Sequence, residues 1–355
     1  MYDPRATGAE TRLALLRHLA AGGVTIDEMH AALARGELVT ALSDKMMRGE
    51  RPFSARDVAA ASDIPLESVL RIWLAAGLPI DDPDAKTLPP DAVSITTLFF
   101  EGAKAFGEDG ILGFSRVMAA AASQVADAAV ALFLGEIEPR LDAGNELEWA
   151  TANEAGVASL EDALTVMVRL VREHVIRAVQ RSRGARASGS SEPRELDLAV
   201  CFLDLVGSTE WALRLPLTTA SIALNRFETA AWEAAVQRGG RLVKLIGDEA
   251  MMVAPTAANA CAIALDVLAS VEQDPGLPPA RGAVGFGKVL FRDGDYFGPL
   301  VNVVARAVKE GAPGQLLVTS AVRDAVSGDP RFTVGAVEPH RLRGIDEPVA
   351  LAPLK

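Results

Sequence analysis

The feature that most limits the fold of this chain is a break in its pattern at residues 181–195, RSRGARASGSSEPRE. Before the break, Ala, Leu, Glu and Arg recur with helical spacing, whereas after it β-branched runs alternate with helical segments. A stretch rich in Ser, Gly, Arg and Pro without apolar periodicity is typical of a linker. We therefore predict an all-α domain over 1–180, a linker over 181–195 and an α+β domain over 196–355.

Composition excludes several classes of protein. Half of the 355 residues are hydrophobic, which indicates a globular chain long enough for two separate cores. The formal net charge of −12 argues against a broad nucleic-acid surface, which is normally basic. Cys201 and Cys261 lie in apolar stretches without metal-ligand spacing, so we predict buried free thiols in a reducing compartment.

No targeting or membrane segment is predicted. The N-terminus, MYDPRATGAETRLALLRHL, has early acidic residues and no uninterrupted apolar core, unlike a signal peptide. The most apolar segment, 117–136, contains Ser123, Gln124 and Asp127, whereas a spanning helix needs about 20 predominantly apolar residues. We interpret 117–136 as a buried helix of a soluble protein, predict no membrane span, and expect a cytoplasmic location.

Two segments of the N-terminal half have patterns that predict helices. Residues 53–79, FSARDVAAASDIPLESVLRIWLAAGLP, combine a Ser54–Asp57 capping pattern with a short turn, which outlines a helix-turn-helix. DNA binding is one interpretation, and a packed helical pair is favoured because few basic residues decorate it. Residues 156–183 form a long amphipathic helix, for which packing in a core is favoured over transmission between domains.

The C-terminal half alternates strands with helices. Strands are predicted at 196–205, 241–254 (a hairpin) and 280–291, and helices at about 217–238, 256–273 and 299–309. A further strand, a short helix and terminal strands follow. The order βαββαβ with additional elements predicts a ferredoxin-like α+β sandwich with helices on one face of the sheet.

Two aspartates of this half are candidates for one cation site. Asp204 ends the first strand in CFLDLVGSTEWA, and Asp248 occupies the hairpin turn of RLVKLIGDEAMMV. Adjacent carboxylates repel each other unless a cation lies between them, and hard oxygen ligands suit Mg²⁺ or Mn²⁺. The small-residue turn Val206, Gly207, Ser208 and Thr209 offers N–H groups to a polyphosphate. Taken alone, Asp204 is equally well explained as a turn residue that ends a strand.

Polar residues also interrupt apolar runs elsewhere in this half. Lys244 lies inside the first strand of the hairpin. In DGDYFGPLVNVVARAVKEG, Asn302 and Arg306 lie four residues apart and share a helix face, and Asp295 precedes them across a turn. Considered singly, Arg306 is as well explained as a surface charge.

Together these three stretches resemble the class III nucleotidyl cyclases over roughly 196–352. FLDLVGST resembles their first metal motif, VKLIGDEAM their lysine-bearing hairpin with the second metal aspartate, and DYFGPLVNVVAR the segment that carries the purine-selecting aspartate and the Asn–Arg pair. The resemblance implies that Asp204 and Asp248 hold two Mg²⁺ or Mn²⁺ ions. It also implies that Lys244 donates to the adenine ring and Asp295 accepts from its amine, which selects ATP over GTP.

The same resemblance implies the chemistry and the assembly. Asn302 orients the ribose and Arg306 neutralises charge on the α-phosphate while the ribose 3′-oxygen displaces pyrophosphate. In this family the metal aspartates and the other four residues come from opposite chains, so a homodimer has two shared active sites. A protein general base is not evident, and Arg292 is the one candidate for a second phosphate-binding arginine.

The N-terminal half resembles the helical regulatory domain of some actinobacterial cyclases, on helix pattern around 53–79 and the long segment after it. The resemblance implies a regulatory and dimerisation domain that restrains the catalytic dimer through the 156–183 helix. A proton or a small effector is the expected signal. His174 on that helix is a candidate proton sensor, although a hydrogen-bonded or solvated histidine without such a role is favoured. A lipid in the Ala-rich 112–136 region is conceivable on sequence grounds, although an ordinary helical core explains it equally.

Two rival functions remain at this point. A GGDEF-type diguanylate cyclase needs a Gly-Gly-[Asp/Glu]-Glu-Phe turn, whereas this chain has IGDEA at 246–250 and carries the Asp295, Asn302 and Arg306 set. A DNA-binding or nucleotide-sensing regulator with a degenerate cyclase domain is opposed by the filled positions and by the net acidity.

Overall fold

The computed structural model describes residues 2–5, 8–186 and 194–355. By its internal contacts the chain divides into two compact units, Met1–Glu173 and His174–Lys355. Each unit contains its own cluster or clusters of buried apolar side chains. The predicted linker lies partly outside the described residues, so the predicted domain division stays a prediction.

The N-terminal unit is helical, as predicted. Its helices, the last of which continues into the second unit, are α1 (Ala9–Ala21), α2 (Ile26–Arg35), α3 (Ala41–Arg48), α4 (Ala55–Ser62), α5 (Leu66–Ala75), α6 (Ala92–Phe106), α7 (Glu108–Glu136) and α8 (Glu146–Arg186). No β-strand is assigned within the described part of this unit.

The predicted helix pair is present as α4 and α5. The Ser54 hydroxyl accepts from the Asp57 N–H at 3.1 Å, and the Ser54 N–H donates to the Asp57 carboxylate at 2.9 Å, which closes the capping box. The indole N–H of Trp73 on α5 donates to the buried Thr96 hydroxyl on α6 at 3.1 Å. The pair is therefore packed against a third helix, as the favoured interpretation expects.

Helix α7 departs from the sequence prediction. The segment 117–136 is helical, but the most apolar window of this helix is exposed in the single chain, so the prediction of a buried helix is wrong. Large apolar side chains stand on its surface at Met118, Val130 and Leu132. By length and composition alone this helix could cross a membrane, but core helices of soluble proteins meet the same criteria. The predicted absence of a membrane span therefore stays a prediction.

Helix α8 also presents apolar side chains to solvent. It has 41 residues and contains the whole of the predicted helix 156–183. Leu164, Val171 and Val175 on its predicted apolar face are 49%, 49% and 55% exposed. Among the described residues this face therefore stays exposed, and the expectation that it is packed in a core is wrong for the single chain.

The second unit is built on one mixed sheet. The strands are β1 (Glu195–Leu205), β2 (Arg241–Ile246), β3 (Glu249–Ala254), β4 (Ala280–Arg292), β5 (Asp295–Phe297), β6 (Leu316–Thr319), β7 (Glu338–His340) and β8 (Val349–Leu354). The helices are α9 (Ser208–Ala212), α10 (Leu217–Gln237), α11 (Ala257–Gln273), α12 (Pro299–Ala307) and α13 (Ser320–Val326). A 3₁₀ turn over Val308–Glu310 follows α12.

The sheet confirms the predicted βαββαβ order. Its strands lie in the order β2-β3-β1-β4-β6-β8-β7, with β5 paired to β4, and the one parallel pairing among the described strands joins β4 to β6. The neighbours β2 and β3 form the predicted hairpin around the two-residue turn of Gly247 and Asp248. Gly247 has a φ of 66°, a conformation that glycine adopts without steric cost.

Each face of the sheet covers a different core. Leu203, Leu205 and Met252 pack on the side of α10 and α11, whereas Phe202 and Met251 pack on the opposite side with Val304 of α12. The prediction that the helices lie on one face of the sheet is therefore wrong for α12. Cys201 and Cys261 are free and buried in the first core, as predicted. Burial raises the pKa of the Cys261 thiol to about 12, so it stays protonated at neutral pH.

Candidate active site

The site begins with a row of charged residues across three adjacent strands. In the antiparallel register, Asp204 of β1 lies opposite Glu249 of β3 on one side and opposite Arg281 of β4 on the other. Side chains alternate along a strand, and Leu203 and Leu205 point to the core beneath α10 and α11. The three charged side chains therefore share the other face of the sheet.

Asp204 is the buried centre of this row, with its side chain 4% exposed. The Arg281 guanidinium donates to one carboxylate oxygen of Asp204, from Nε at 2.9 Å and from Nη2 at 2.8 Å. The Lys309 ammonium donates to the other oxygen. A buried carboxylate is costly unless it is paired, and these two cations supply the pairing for Asp204.

Lys309 bridges the two carboxylates of the row. Its Nζ also lies 2.8 Å from Oε2 of Glu249. Burial raises the pKa of Glu249, an effect that the nearby Lys309 opposes and the negative charges of Asp204 and Asp248 reinforce. The pKa of Lys309 is also raised, since its hydrogen bonds to Asp204 and Glu249 outweigh its own desolvation.

The hairpin turn brings Asp248 next to the end of β1. The backbone N–H of Leu205 donates to the Asp248 carbonyl at 3.3 Å, and the Ser208 hydroxyl donates to the Asp248 carboxylate. The structure thus brings the predicted residues Asp204 and Asp248 to the same edge of the sheet.

The predicted phosphate-binding turn follows directly on β1. Gly207 has a φ of 71° and caps the short helix α9, whose first turn leaves N–H groups without intrahelical acceptors. The Val206 N–H instead donates to the Pro279 carbonyl at 2.7 Å. Of the four predicted positions, Val206 therefore offers no free N–H. Gly207 and Thr209 are exposed in the turn, whereas Ser208 between them is buried.

The donor set is compatible with a divalent cation. Among the described residues, no cluster of three or more His, Cys, Asp or Glu side chains forms a closed metal cage. Mg²⁺ is normally held by one or two carboxylates together with substrate phosphates, and such a site needs no cage. Asp204 and Asp248 match that pattern, and two cationic side chains already neutralise Asp204.

Lys244 reaches its position through a β-bulge. The pairing shifts between Leu242, opposite Met252, and Lys244, opposite Met251, so that Val243 is an extra residue in β2. A bulge redirects the side chains that follow it. Lys244 therefore lies on the same face as Met251, the face that also carries Asp204.

On that face Lys244 meets Asp295. Its ammonium donates to one oxygen of the Asp295 carboxylate, and the other oxygen accepts the Tyr296 N–H at 2.8 Å. The two side chains are 39% and 25% exposed, so their polar ends remain accessible. The structure thus joins a cationic donor and an anionic acceptor that are 51 residues apart in sequence.

Helix α12 carries the other two predicted residues. Asn302 and Arg306 are exposed, while Val304 between them is buried beneath the helix. In the described part of the chain neither side chain has a hydrogen-bond partner. Arg292, the candidate for a second phosphate-binding arginine, is exposed and pairs with its neighbour Asp293 at 3.2 Å.

Sequence reasoning missed Glu249, Arg281 and Lys309. Glu249 directly follows Asp248, and Arg281 is the second residue of β4 after Pro278 and Pro279, so both had a local signal as charges at the ends of apolar runs. Lys309 lies 105 residues from Asp204 in sequence and follows the end of a helix. Nothing in its local sequence distinguishes it from a surface lysine.

Comparison with known proteins identifies similar chains. A family model described as "Adenylate cyclase regulatory domain" matches residues 5–178. An adenylate cyclase of Glutamicibacter nicotianae is 29% identical over 368 residues, which cover 98% of this chain and 89% of that protein. The protein Rv2212 of Mycobacterium tuberculosis is 30% identical over 350 residues, which cover 95% of this chain and 89% of that one. The pH-sensitive adenylate cyclase MT1302 of Mycobacterium tuberculosis is 28% identical over 369 residues, with 98% and 89% covered.

The burial of Asp204 generates a stability prediction. We expect Arg281→Met to lower the free energy of unfolding by about 2 kcal/mol, because the ionised Asp204 loses charged hydrogen bonds that water cannot replace. Urea denaturation followed by circular dichroism measures the change. Arg323→Met is the control, since its ion pair with Asp324 is solvent-exposed and contributes less than about 0.5 kcal/mol. Equal effects of the two substitutions would contradict the structural role of Arg281.

Proposed function

The chain belongs to the class III adenylate cyclases that carry an N-terminal regulatory domain, and from that premise we propose that it converts ATP to 3′,5′-cyclic AMP and pyrophosphate. The observation that carries the choice of ATP is the pairing of Lys244 with Asp295 on an accessible face of the sheet. The pair supplies one donor and one acceptor side by side, which is what the edge of adenine requires.

Base selection follows from that donor and acceptor. The Lys244 ammonium donates to the adenine ring nitrogen, and the Asp295 carboxylate accepts from the exocyclic amine. Guanine presents a carbonyl and a ring N–H at these positions. The Lys244 donor would then face the ring N–H, which is also a donor, and the Asp295 acceptor would face the carbonyl, which is also an acceptor. A site built from such polar groups discriminates strongly, because the wrong base leaves them unpaired.

Asp204 and Asp248 are the proposed ligands of two divalent cations, Mg²⁺ or Mn²⁺. Bound there, such cations lower the pKa of the attacking 3′-hydroxyl and neutralise the polyphosphate. The Ser208 hydroxyl fixes the rotamer of Asp248 through its hydrogen bond. The turn of Gly207, Ser208 and Thr209 directs N–H groups at the phosphate chain.

Asn302 and Arg306 complete the proposed site. Asn302 orients the ribose so that its 3′-oxygen lies in line with the α-phosphorus. Arg306 stabilises the charge that accumulates on the α-phosphate oxygens in the transition state. Both side chains are exposed and unpartnered in the described part of a single chain, which supports a site completed by a second copy.

We propose a homodimer with two equivalent sites at its interface. In each site Asp204 and Asp248 come from one copy, and Lys244, Asp295, Asn302 and Arg306 come from the other. The exposed apolar side chains of α7 and α8 favour dimerisation through the N-terminal unit as well, because large apolar surfaces are rarely left uncovered. The interpretation of residues 1–180 as a regulatory and dimerisation domain rests on that surface and on the matched family model.

The N-terminal domain is proposed to restrain the catalytic pair until a signal arrives. A relative that matches over 98% of this chain is named for pH sensitivity, which supports a proton as the signal, with a small effector as the alternative. We propose that the enzyme acts in the cytoplasm, where ATP is available and Cys201 and Cys261 remain reduced.

Nucleotide turnover tests the proposed reaction. With full-length protein and Mn²⁺, we expect cyclic AMP from ATP at a kcat/KM at least about a hundredfold above that for cyclic GMP from GTP. Lys244→Glu should lower the preference for ATP, because the donor to the adenine ring is replaced by an acceptor. Asp204→Asn should lower kcat by about a thousandfold or more, since the cation contributes several kcal/mol of charge stabilisation.

The control is Lys288→Glu, which changes an exposed lysine on β4 that pairs with Glu195. We expect its turnover to stay within about twofold of wild type, because surface pairs contribute little. The assay covers about pH 5.5 to 8, the range in which histidines titrate. Formation of no cyclic nucleotide from either substrate over that range would contradict the proposal.

Mixing two inactive variants tests the shared sites. Asp204→Asn and Arg306→Ala damage different halves of the proposed site, so a heterodimer of the two contains one site with both defects and one intact site. Co-expression in equal amounts should restore about a quarter of wild-type activity, because half of the dimers are mixed and each has one of two sites intact. Asn302→Ala mixed with Arg306→Ala is the control and should restore nothing, since both changes lie in the same half. An inactive first mixture, in which pull-down detects heterodimers, would contradict the homodimer site.

A further inference from the structure

We propose that Lys309 is a tethered counter-ion that a divalent cation must displace from Asp204, so that this lysine sets the affinity of the site for the cation. The proposal rests on the proposed function, since it takes Asp204 as a cation ligand. It concerns a residue that follows the catalytic helix α12 and that the mechanism above does not use.

The position of the ammonium is the first support. Lys309 Nζ donates to the Asp204 carboxylate and lies 2.8 Å from Oε2 of Glu249. A cation that binds Asp204 through the same oxygen would meet this ammonium at contact distance. Like charges that close repel each other strongly in a partly buried site, so the ammonium and the cation exclude each other.

The lysine is held there by its backbone. Nη1 of Arg281 donates to the carbonyl oxygen of Lys309 at 2.7 Å and to that of Gly311 at 3.4 Å. Arg281 thus fixes the 3₁₀ turn over Val308–Glu310 against the charged row. The side chain alone must move to release Asp204, and its four-carbon stem allows this without a change in the fold.

Of the two cations on Asp204, Lys309 is the one that can leave. The Arg281 side chain is 20% exposed and donates to Asp204 and to two backbone carbonyls. The Lys309 side chain is 48% exposed, and within the described residues its ammonium pairs with the carboxylates of Asp204 and Glu249 alone. An ammonium near solvent regains its hydration on leaving, while a guanidinium in the sheet would leave carbonyl oxygens unpaired.

The net charge around Lys309 is consistent with replacement of its ammonium by a divalent cation. Asp204 and Glu249 share the Lys309 ammonium, the Arg281 guanidinium pairs with Asp204, and the negative charge of Asp248 acts on Glu249. Without the ammonium, the remaining guanidinium leaves two negative charges uncompensated, the charge that one divalent cation supplies.

Binding of Mn²⁺ to the nucleotide-free, full-length protein tests the proposal without reference to turnover. Free Mn²⁺ is measured by its electron paramagnetic resonance signal during titration. We expect Lys309→Met to bind the Asp204-dependent Mn²⁺ about tenfold more tightly than wild type, because a competing charge is removed. Lys309→Arg retains the charge and should bind Mn²⁺ like wild type, and Lys288→Met controls for loss of a lysine elsewhere on the sheet.

Thermal unfolding with and without Mn²⁺ distinguishes loss of a competing charge from a general loss of stability in Lys309→Met. Lys309→Met leaves Asp204 and Glu249 adjacent with less compensation, so we expect a lower Tm without metal and a larger rise in Tm on adding Mn²⁺ than in wild type. A purely structural ion pair would lower the Tm of the variant and leave the Mn²⁺-induced rise at the wild-type value.

The double variant Lys309→Met with Asp204→Asn separates the role of Lys309 from the role of Asp204 as a cation ligand. Asp204-dependent binding of equal affinity in wild type and Lys309→Met would overturn the role of Lys309 and leave the cation site intact. Equal binding by Lys309→Met and the double variant, or no binding by either, would overturn both, because Asp204 would then not be a cation ligand.

Discussion

The register that aligns Glu249, Asp204 and Arg281 across three strands is the constraint on which the site depends. It is set by the apolar residues on the other face of β1, where Leu203 and Leu205 are fully buried. A shift of one residue would turn Asp204 into that core and Leu203 toward the charged row, so the hydrophobic pattern specifies the register strongly. Burial of the core thereby places the Asp204 carboxylate between Glu249 and Arg281 on the opposite face.

Much of the second unit could be predicted because its signals are local. The alternation of β-branched and helical runs gives the βαββαβ order, and the two-residue turn at Gly247 and Asp248 fixes the hairpin. The proximity of Asp204 to Asp248 followed from two strand ends meeting at one sheet edge. These features depend on residues that are close in sequence or on the pairing of two neighbouring strands.

The remaining features depend on contacts that local pattern does not encode. The bulge at Val243 changes the face of Lys244, and no Gly or Pro marks it in the sequence. Lys309 reaches Asp204 only because α12 and the turn after it cross the sheet. Helix α7 was expected to be buried because its composition matches a core helix, yet composition does not say whether another layer covers it.

Both units expose side chains that a second copy of the chain is proposed to contact. Asn302 and Arg306 stand without partners in the described part of the chain, and α7 and α8 present apolar side chains to solvent. The proposed homodimer would supply contacts to both sets. In that proposal, a signal that alters the pairing of the helical domains would also alter how the two halves of each proposed site meet.

The most direct test of the central claim is a crystal structure of the full-length protein with Mn²⁺ and an ATP analogue that lacks the 3′-hydroxyl, analysed for anomalous scattering from manganese. The account predicts manganese peaks at Asp204 and Asp248 of one copy, the adenine edge beside Lys244 and Asp295 of the other, and the Lys309 ammonium moved away from Asp204. Bound nucleotide without manganese at Asp204, and with Lys309 still paired to that carboxylate, would contradict it.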